Sequence, residues 1–126
     1  MKDISKSDLT NNIPLAALKE GEATKPVTIA GVEFGGSDFT IIAGPCTVES
    51  EEQIVEIAGE VKKRGAKMLR GGAFKPLTFP YRSDSFFELG DVGLEYLNTA
   101  RKTHNIPVVT ELMDLKYLDK LCENVD

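Results

Sequence analysis

The chain has 126 residues, of which 41% are hydrophobic and 28% charged, as in an ordinary globular domain. Its formal charge of −5 argues against a nucleic-acid or anionic-membrane partner, because such surfaces need clustered Lys and Arg. The apolar run at residues 15–18 is too short for a signal peptide or a membrane span. Cys46 and Cys122 are too few for a disulfide scaffold and too far apart for a metal knuckle, which favours a reducing, cytoplasmic setting.

The first third of the chain is predicted to contain an arm, a hairpin and a strand. Residues 1–26 are polar and interrupted by prolines, which predicts a flexible N-terminal arm. Two alternating runs that meet at a glycine predict a β-hairpin within residues 27–38. Residues 39–44 are apolar with little alternation, which is typical of a strand covered on both faces.

The next segment carries the signals of a helix followed by a strand. Ser50 as N-cap and Gln53 at the third helical position form a capping box. Apolar residues then recur at helical spacing, and Gly65 fits the position just past the helix C-terminus. Residues 66–70 are predicted to be the second strand.

The remaining pattern repeats strand and helix. After a long loop, a helix is predicted near residues 91–103 and a strand at 107–110. Asp114 can cap a third helix, whose buried face is predicted to carry Leu115, Leu118, Leu121 and Cys122.

Strand and helix thus alternate three times, which predicts an α/β fold with parallel strands and right-handed crossovers. Residues 39–126 provide about 29 residues per unit, close to the roughly 31 of an eight-unit (β/α)8 barrel. A doubly wound sheet has a similar repeat length.

Ligands of parallel α/β proteins bind where the strands end, and candidate residues follow each predicted strand. Cys46 comes directly after the first strand and is either a soft metal ligand or a small buried hydrophobe. Arg70 and Lys75 flank a Gly-Gly pair, so they either bind a small anionic substrate or belong to a solvated basic loop. Glu111 offers a carboxylate that binds a metal ion or a water molecule or transfers a proton, or else it caps the following helix. His104 lies at a helix end and is interpreted as a surface or C-cap residue.

Two segments among these carry a family resemblance, IIAGPCTVES at residues 41–50 and LRGGAFKP at residues 69–76. Both closely resemble the β-type class I 3-deoxy-arabino-heptulosonate 7-phosphate (DAHP) synthases, and the run PVVTE at residues 107–111 adds support. The resemblance implies a metal-dependent (β/α)8 barrel that condenses phosphoenolpyruvate with erythrose 4-phosphate, opening the shikimate route to aromatic amino acids. It also implies a homo-oligomeric full-length enzyme.

The resemblance assigns roles by position. Cys46 would bind a divalent metal such as Mn²⁺ or Fe²⁺. Arg70 and Lys75 would bind phosphoenolpyruvate as the catalytic cations, and Pro76 and Thr78 would lie against the aldose phosphate.

This chain departs from the family pattern in the loop that follows. Leu77 stands where the family usually has an arginine, and Phe79 where it has a serine. Residues 82–84 resemble an insertion in which Arg82 could replace the lost cation.

The family's other metal ligands, a His, a Glu and an Asp, come from later strands. We therefore expect a partial barrel of three units, truncated before the fourth strand, with doubtful activity on its own. Two alternatives stay open: a 3-deoxy-8-phosphooctulonate synthase-like enzyme, and a non-catalytic half-barrel that binds anions or self-associates.

Overall fold

The structure, a computed structural model, describes residues 13, 17–18, 21–75 and 87–126. In this part of the chain, β1 (Val27–Ile29) and β2 (Val32–Phe34) pair antiparallel, within the segment where a hairpin is predicted. The described residues of the predicted arm carry no helix or strand.

A second sheet contains three short parallel strands in the order in which they follow along the chain. These strands are β3 (Ile42–Ala43), β4 (Met68–Arg70) and β5 (Val108–Val109). Helix α1 (Glu51–Lys63) connects β3 to β4, and α2 (Asp91–His104) lies between β4 and β5. Parallel strands that alternate with helices confirm the predicted α/β class.

The start of α1 is fixed by side-chain caps, as the sequence predicts. The Ser50 hydroxyl accepts a hydrogen bond from the Gln53 amide at 3.1 Å. The Gln53 side chain in turn accepts from the amide of Glu49, also at 3.1 Å. The reciprocal bond therefore reaches one residue before the N-cap, and two backbone donors at the helix end are satisfied.

The core lies between one face of the parallel sheet and the helices. Ala43, Leu69 and Val108 are aligned across the three strands, and Leu69 and Val108 are fully buried. The helices contribute the buried side chains Ile54, Ala58, Leu94, Leu97 and Ala100.

The prediction that the first parallel strand is covered on both faces is wrong for the described residues. Ile42 is 41% exposed and Phe39, which precedes the strand, is 90% exposed. Met68, which is aligned with Ile42 on the neighbouring strand, is only 2% exposed, so the exposure on this face lies at the β3 edge of the sheet.

The last helix differs from the predicted one in its phase. A 3₁₀ turn (Leu115–Tyr117) precedes α3 (Leu118–Asn124), and the Asp114 side chain accepts from the Lys116 amide as a cap. A 3₁₀ turn rotates each residue further than an α-helix does, which shifts the face that follows. Leu121 is buried as predicted.

The other residues predicted on the buried face of this helix are exposed. Leu115 is 76% and Leu118 44% exposed, and Cys122, predicted to be core, is also exposed. Tyr117 is turned inward instead, where its ring stacks on Phe74 at a centroid distance of 4.2 Å.

His104 is the last residue of α2 and lies at the end of the helix remote from the C-terminal ends of the strands. Its ring lies over Gly59 of α1, and its carbonyl accepts a hydrogen bond from Lys62. His104 is therefore partly buried between two helices rather than placed on the surface. In the described part of the chain, no helix is long and apolar enough to cross a membrane.

Candidate active site

The C-terminal ends of the parallel strands surround a cavity of about 380 Å³. Arg70 at the end of β4 is paired in register with Val109 at the end of β5. This register brings the segment after β4 beside the segment after β5. The lining residues are Ile42, Arg70, Gly71, Gly72, Val109, Thr110 and Glu111.

Two glycines let the chain segments around this cavity come close together. A Cβ on Gly44 would lie 2.0 Å from the Arg70 carbonyl oxygen, and Gly44 has a φ of +151°. A Cβ on Gly72 would lie 2.6 Å from the carbonyl oxygen of Cys46. Any larger residue at either position would force the backbone segments apart.

Hydrogen bonds hold the backbone after β4 on two sides. The Gly71 amide donates to the Val109 carbonyl at 3.2 Å. The Thr110 hydroxyl donates to the Gly71 carbonyl at 2.6 Å. The Val48 amide donates to the Gly72 carbonyl at 3.0 Å. The cavity wall is thus built on a fixed backbone.

Charged side chains of both signs meet at this cavity. The Lys75 ammonium lies 3.4 Å from Oε1 of Glu111, and the two side chains are 32% and 44% exposed. The Arg70 side chain is exposed and makes no hydrogen bond or ion pair within the described residues. The Arg70 fork is therefore available to an anion, while Lys75 shares its charge with Glu111.

The second oxygen of Glu111, Oε2, is buried without a hydrogen-bond partner among the described residues. A buried carboxylate oxygen without a donor is costly, so this atom favours an occupant that donates a hydrogen bond.

Cys46 is a free, exposed thiol after β3, and its carbonyl oxygen faces Gly72. It is therefore not the small buried hydrophobe of the alternative interpretation. In the described ranges there is no group of three or more His, Cys, Asp and Glu side chains placed to hold a metal ion. The donor set here does not fit a complete metal centre, and Cys46 offers a single ligand.

The structure thus brings Arg70 and Glu111 to one cavity, and Lys75 adjoins it through its ion pair with Glu111. Pro76 and Thr78 lie outside the described residues, as do Leu77, Phe79 and the segment 82–84. The sequence pattern did not reveal that Thr110 bonds the Gly71 carbonyl, because that contact depends on strand register.

These features define a class of protein, an α/β protein with a cavity bordered by charged side chains at the C-terminal ends of parallel strands. Residues 17–126 match the model of the DAHP synthetase I family, and the chain belongs to this family.

Named relatives agree with that assignment. The chain is 45% identical over 100 residues to phospho-2-dehydro-3-deoxyheptonate aldolase of Thermotoga maritima, covering 79% of this chain and 29% of the relative. It is 36% identical over 106 residues to 2-dehydro-3-deoxyphosphooctonate aldolase of Francisella philomiragia, covering 78% of this chain and 38% of the relative.

Solved structures show the same likeness. The crystal structure of the Thermotoga maritima DAHP synthase matches with a TM-score of 0.70 and 39% identity, covering 82% of this chain and 29% of that one. A truncated form of the Thermotoga maritima synthase matches with a TM-score of 0.68 and 38% identity, covering 82% of this chain and 36% of that one. The chain therefore spans less than two fifths of the length of these relatives.

Proposed function

We propose that this chain carries the phosphoenolpyruvate-binding part of a 3-deoxy-7-phosphoheptulonate synthase. The observation that carries the proposal is the Arg70 guanidinium, which has no partner among the described residues and lines the same cavity as Glu111, the partner of Lys75. Membership of the DAHP synthetase I family supports it. Erythrose 4-phosphate is the proposed second substrate.

In this proposal the parallel strands and their helices are the first three units of a (β/α)8 barrel. The strand order β3-β4-β5, with α1 and α2 as crossovers, supports this architecture. The full-length form is proposed to be a homo-oligomer in the cytoplasm, a setting in which free thiols such as Cys46 stay reduced.

The chemistry asks these residues mainly to bind and to orient. The Arg70 fork suits the paired oxygens of the phosphate or the carboxylate of phosphoenolpyruvate. Lys75 supplies a compact positive charge near the reacting carbons. Held in this way, C3 of phosphoenolpyruvate can approach the aldehyde carbon of the aldose phosphate, and much of the acceleration comes from positioning and fixed charge.

Lys75 already has a partner, and this affects the proposed binding step. With Glu111 at 3.4 Å, the ammonium is held in the cavity before a ligand arrives. An anionic ligand competes with the carboxylate for the same charge. Glu111 then acts as a holder of Lys75 in the empty site.

Two further roles belong to the proposal. Cys46 would supply one thiolate ligand to a divalent metal such as Mn²⁺ or Fe²⁺, with the other ligands coming from outside the described residues. Pro76 and Thr78 would contact the aldose phosphate. Leu77 stands where the family usually has an arginine, and Arg82 would supply the positive charge that is lost there.

A second candidate function is 2-dehydro-3-deoxyphosphooctonate aldolase, favoured by the similarity to the Francisella philomiragia enzyme of that name. Turnover by the complete enzyme that contains this segment separates the two. Phosphoenolpyruvate is supplied with erythrose 4-phosphate or with arabinose 5-phosphate. The rate of condensation is measured as the rate at which phosphoenolpyruvate is consumed. We expect the higher kcat/KM with erythrose 4-phosphate. A preference for arabinose 5-phosphate would favour the second function, and turnover with neither would favour a non-catalytic anion-binding or self-associating role.

A further inference from the structure

The Thr110 side chain lies in the cavity wall and hydrogen-bonds the backbone at the end of the neighbouring strand. It directly follows β5 and lines the cavity between Val109, the last residue of the strand, and Glu111. Its hydroxyl is directed to the neighbouring chain segment, where it donates to the Gly71 carbonyl at 2.6 Å. The Gly71 amide donates to the Val109 carbonyl at 3.2 Å. Both polar backbone groups of Gly71 are therefore held by the end of β5.

The opposite side of the same backbone is held by close contact. The absence of a Cβ at Gly44 lets the end of β3 approach the Arg70 carbonyl. In the part of the chain that the structure describes, Thr110 is the one residue whose side chain hydrogen-bonds the backbone of residues 70–72. The Gly71 amide belongs to the peptide that follows Arg70 and the Gly71 carbonyl to the next peptide, so the two bonds together hold Gly71, the residue next to Arg70.

We propose that Thr110 is a positioning residue for Arg70, acting through the Gly71 carbonyl. The inference rests on the proposed function, because it assigns Arg70 to a phosphoenolpyruvate site. The Arg70 guanidinium has no described partner to orient it, so its aim is set by the backbone from which it extends. Loss of the Thr110 hydroxyl leaves the Gly71 carbonyl without its donor and lets the Gly71–Gly72 peptide rotate, which loosens Gly71 and the adjoining backbone of Arg70.

The test compares variants that remove or keep the hydroxyl. Thr110→Val and Thr110→Ala remove it, and Thr110→Ser keeps it. Thr99→Val is the matched control, since the Thr99 hydroxyl also donates to a backbone carbonyl, that of Glu95 at 3.1 Å, on the exposed side of α2. Titration of phosphoenolpyruvate into this chain should show about tenfold weaker binding for the two deletions. The Ser variant and the control should stay within about twofold of the unchanged chain.

A double-mutant cycle separates positioning from general support of the fold. In an Arg70→Ala background, Thr110→Val should change the remaining affinity by less than about twofold, because the group that it positions is gone. An equal loss of affinity in both backgrounds would mean that Thr110 supports the structure in general, and would overturn the inference.

A measurement without ligand completes the test. Exchange of the Gly71 amide proton, followed by NMR, should become faster in Thr110→Val and Thr110→Ala but not in Thr110→Ser. Unchanged exchange in the deletion variants would overturn the inference, whatever the ligand does. If the unchanged chain fails to bind phosphoenolpyruvate, the proposed function fails, and the exchange data still decide whether Thr110 holds this backbone.

Discussion

Replacing Arg70 with alanine removes the one cation of the cavity that has no described partner. A guanidinium that binds an oxyanion through both arms forms charge-assisted hydrogen bonds. Each hydrogen bond to a charged group contributes about 1.5–3 kcal/mol. Because the Arg70 side chain is exposed, solvent weakens both bonds, and we expect the two together to contribute about 1.5–3 kcal/mol. The loss corresponds to about 10- to 150-fold weaker binding of phosphoenolpyruvate.

The assay is isothermal titration of phosphoenolpyruvate at low ionic strength, with a repeat at higher salt to screen exposed charges. Arg64→Ala is the matched control, because Arg64 is an exposed arginine at the end of α1 that pairs with Glu60. Arg70→Ala should leave the free energy of unfolding within about 0.5 kcal/mol, since no described contact is lost. Unchanged affinity in a folded Arg70→Ala variant, or an equal loss in Arg64→Ala, would refute this reasoning.

Three further predictions concern stability and the shape of the cavity. Lys62→Met should cost about 1–2 kcal/mol in urea unfolding, because the ammonium bonds two carbonyls at the end of α2; an unchanged midpoint would contradict this. Hydrogen bonds and charge from Lys63 and Arg64 lower the pKa of Glu60 from 4.5 to about 2, so its stabilising effect is present above pH 4.5 and lost as the pH falls towards 2. Unfolding measured across that range should show a smaller pH dependence for Glu60→Gln, and equal dependence would count against this pairing. Gly72→Ala should weaken phosphoenolpyruvate binding by about tenfold or more, because the new methyl group meets a carbonyl oxygen; titration with wild-type affinity would contradict it.

The strand–helix order and the position of the charged cavity could be predicted from local patterns. Capping at Ser50 and the apolar spacing of α1 and α2 are local signals, and parallel strands must end on the same edge. The grouping of Arg70, Lys75 and Glu111 follows from that edge alone.

Other features depend on tertiary contacts that no local pattern contains. The 3₁₀ turn before α3 rotates the helix, so that Tyr117 turns inward and Cys122 turns outward. Simple helical spacing predicts that Cys122 is buried. The Thr110–Gly71 hydrogen bond depends on the register between β4 and β5. Ile42 is exposed at the edge strand while its aligned neighbour Met68 is buried, a difference that the apolar run in the sequence does not reveal.

The central claim is that Arg70 and Lys75 bind phosphoenolpyruvate at the C-terminal ends of β4 and β5. A crystal structure of the complete enzyme with phosphoenolpyruvate bound tests this most directly. We expect phosphate or carboxylate oxygens within hydrogen-bond distance of both side chains, with the ligand against the Gly71-Gly72 turn. Phosphoenolpyruvate bound elsewhere, with Arg70 directed to solvent and Lys75 still paired to Glu111, would contradict it.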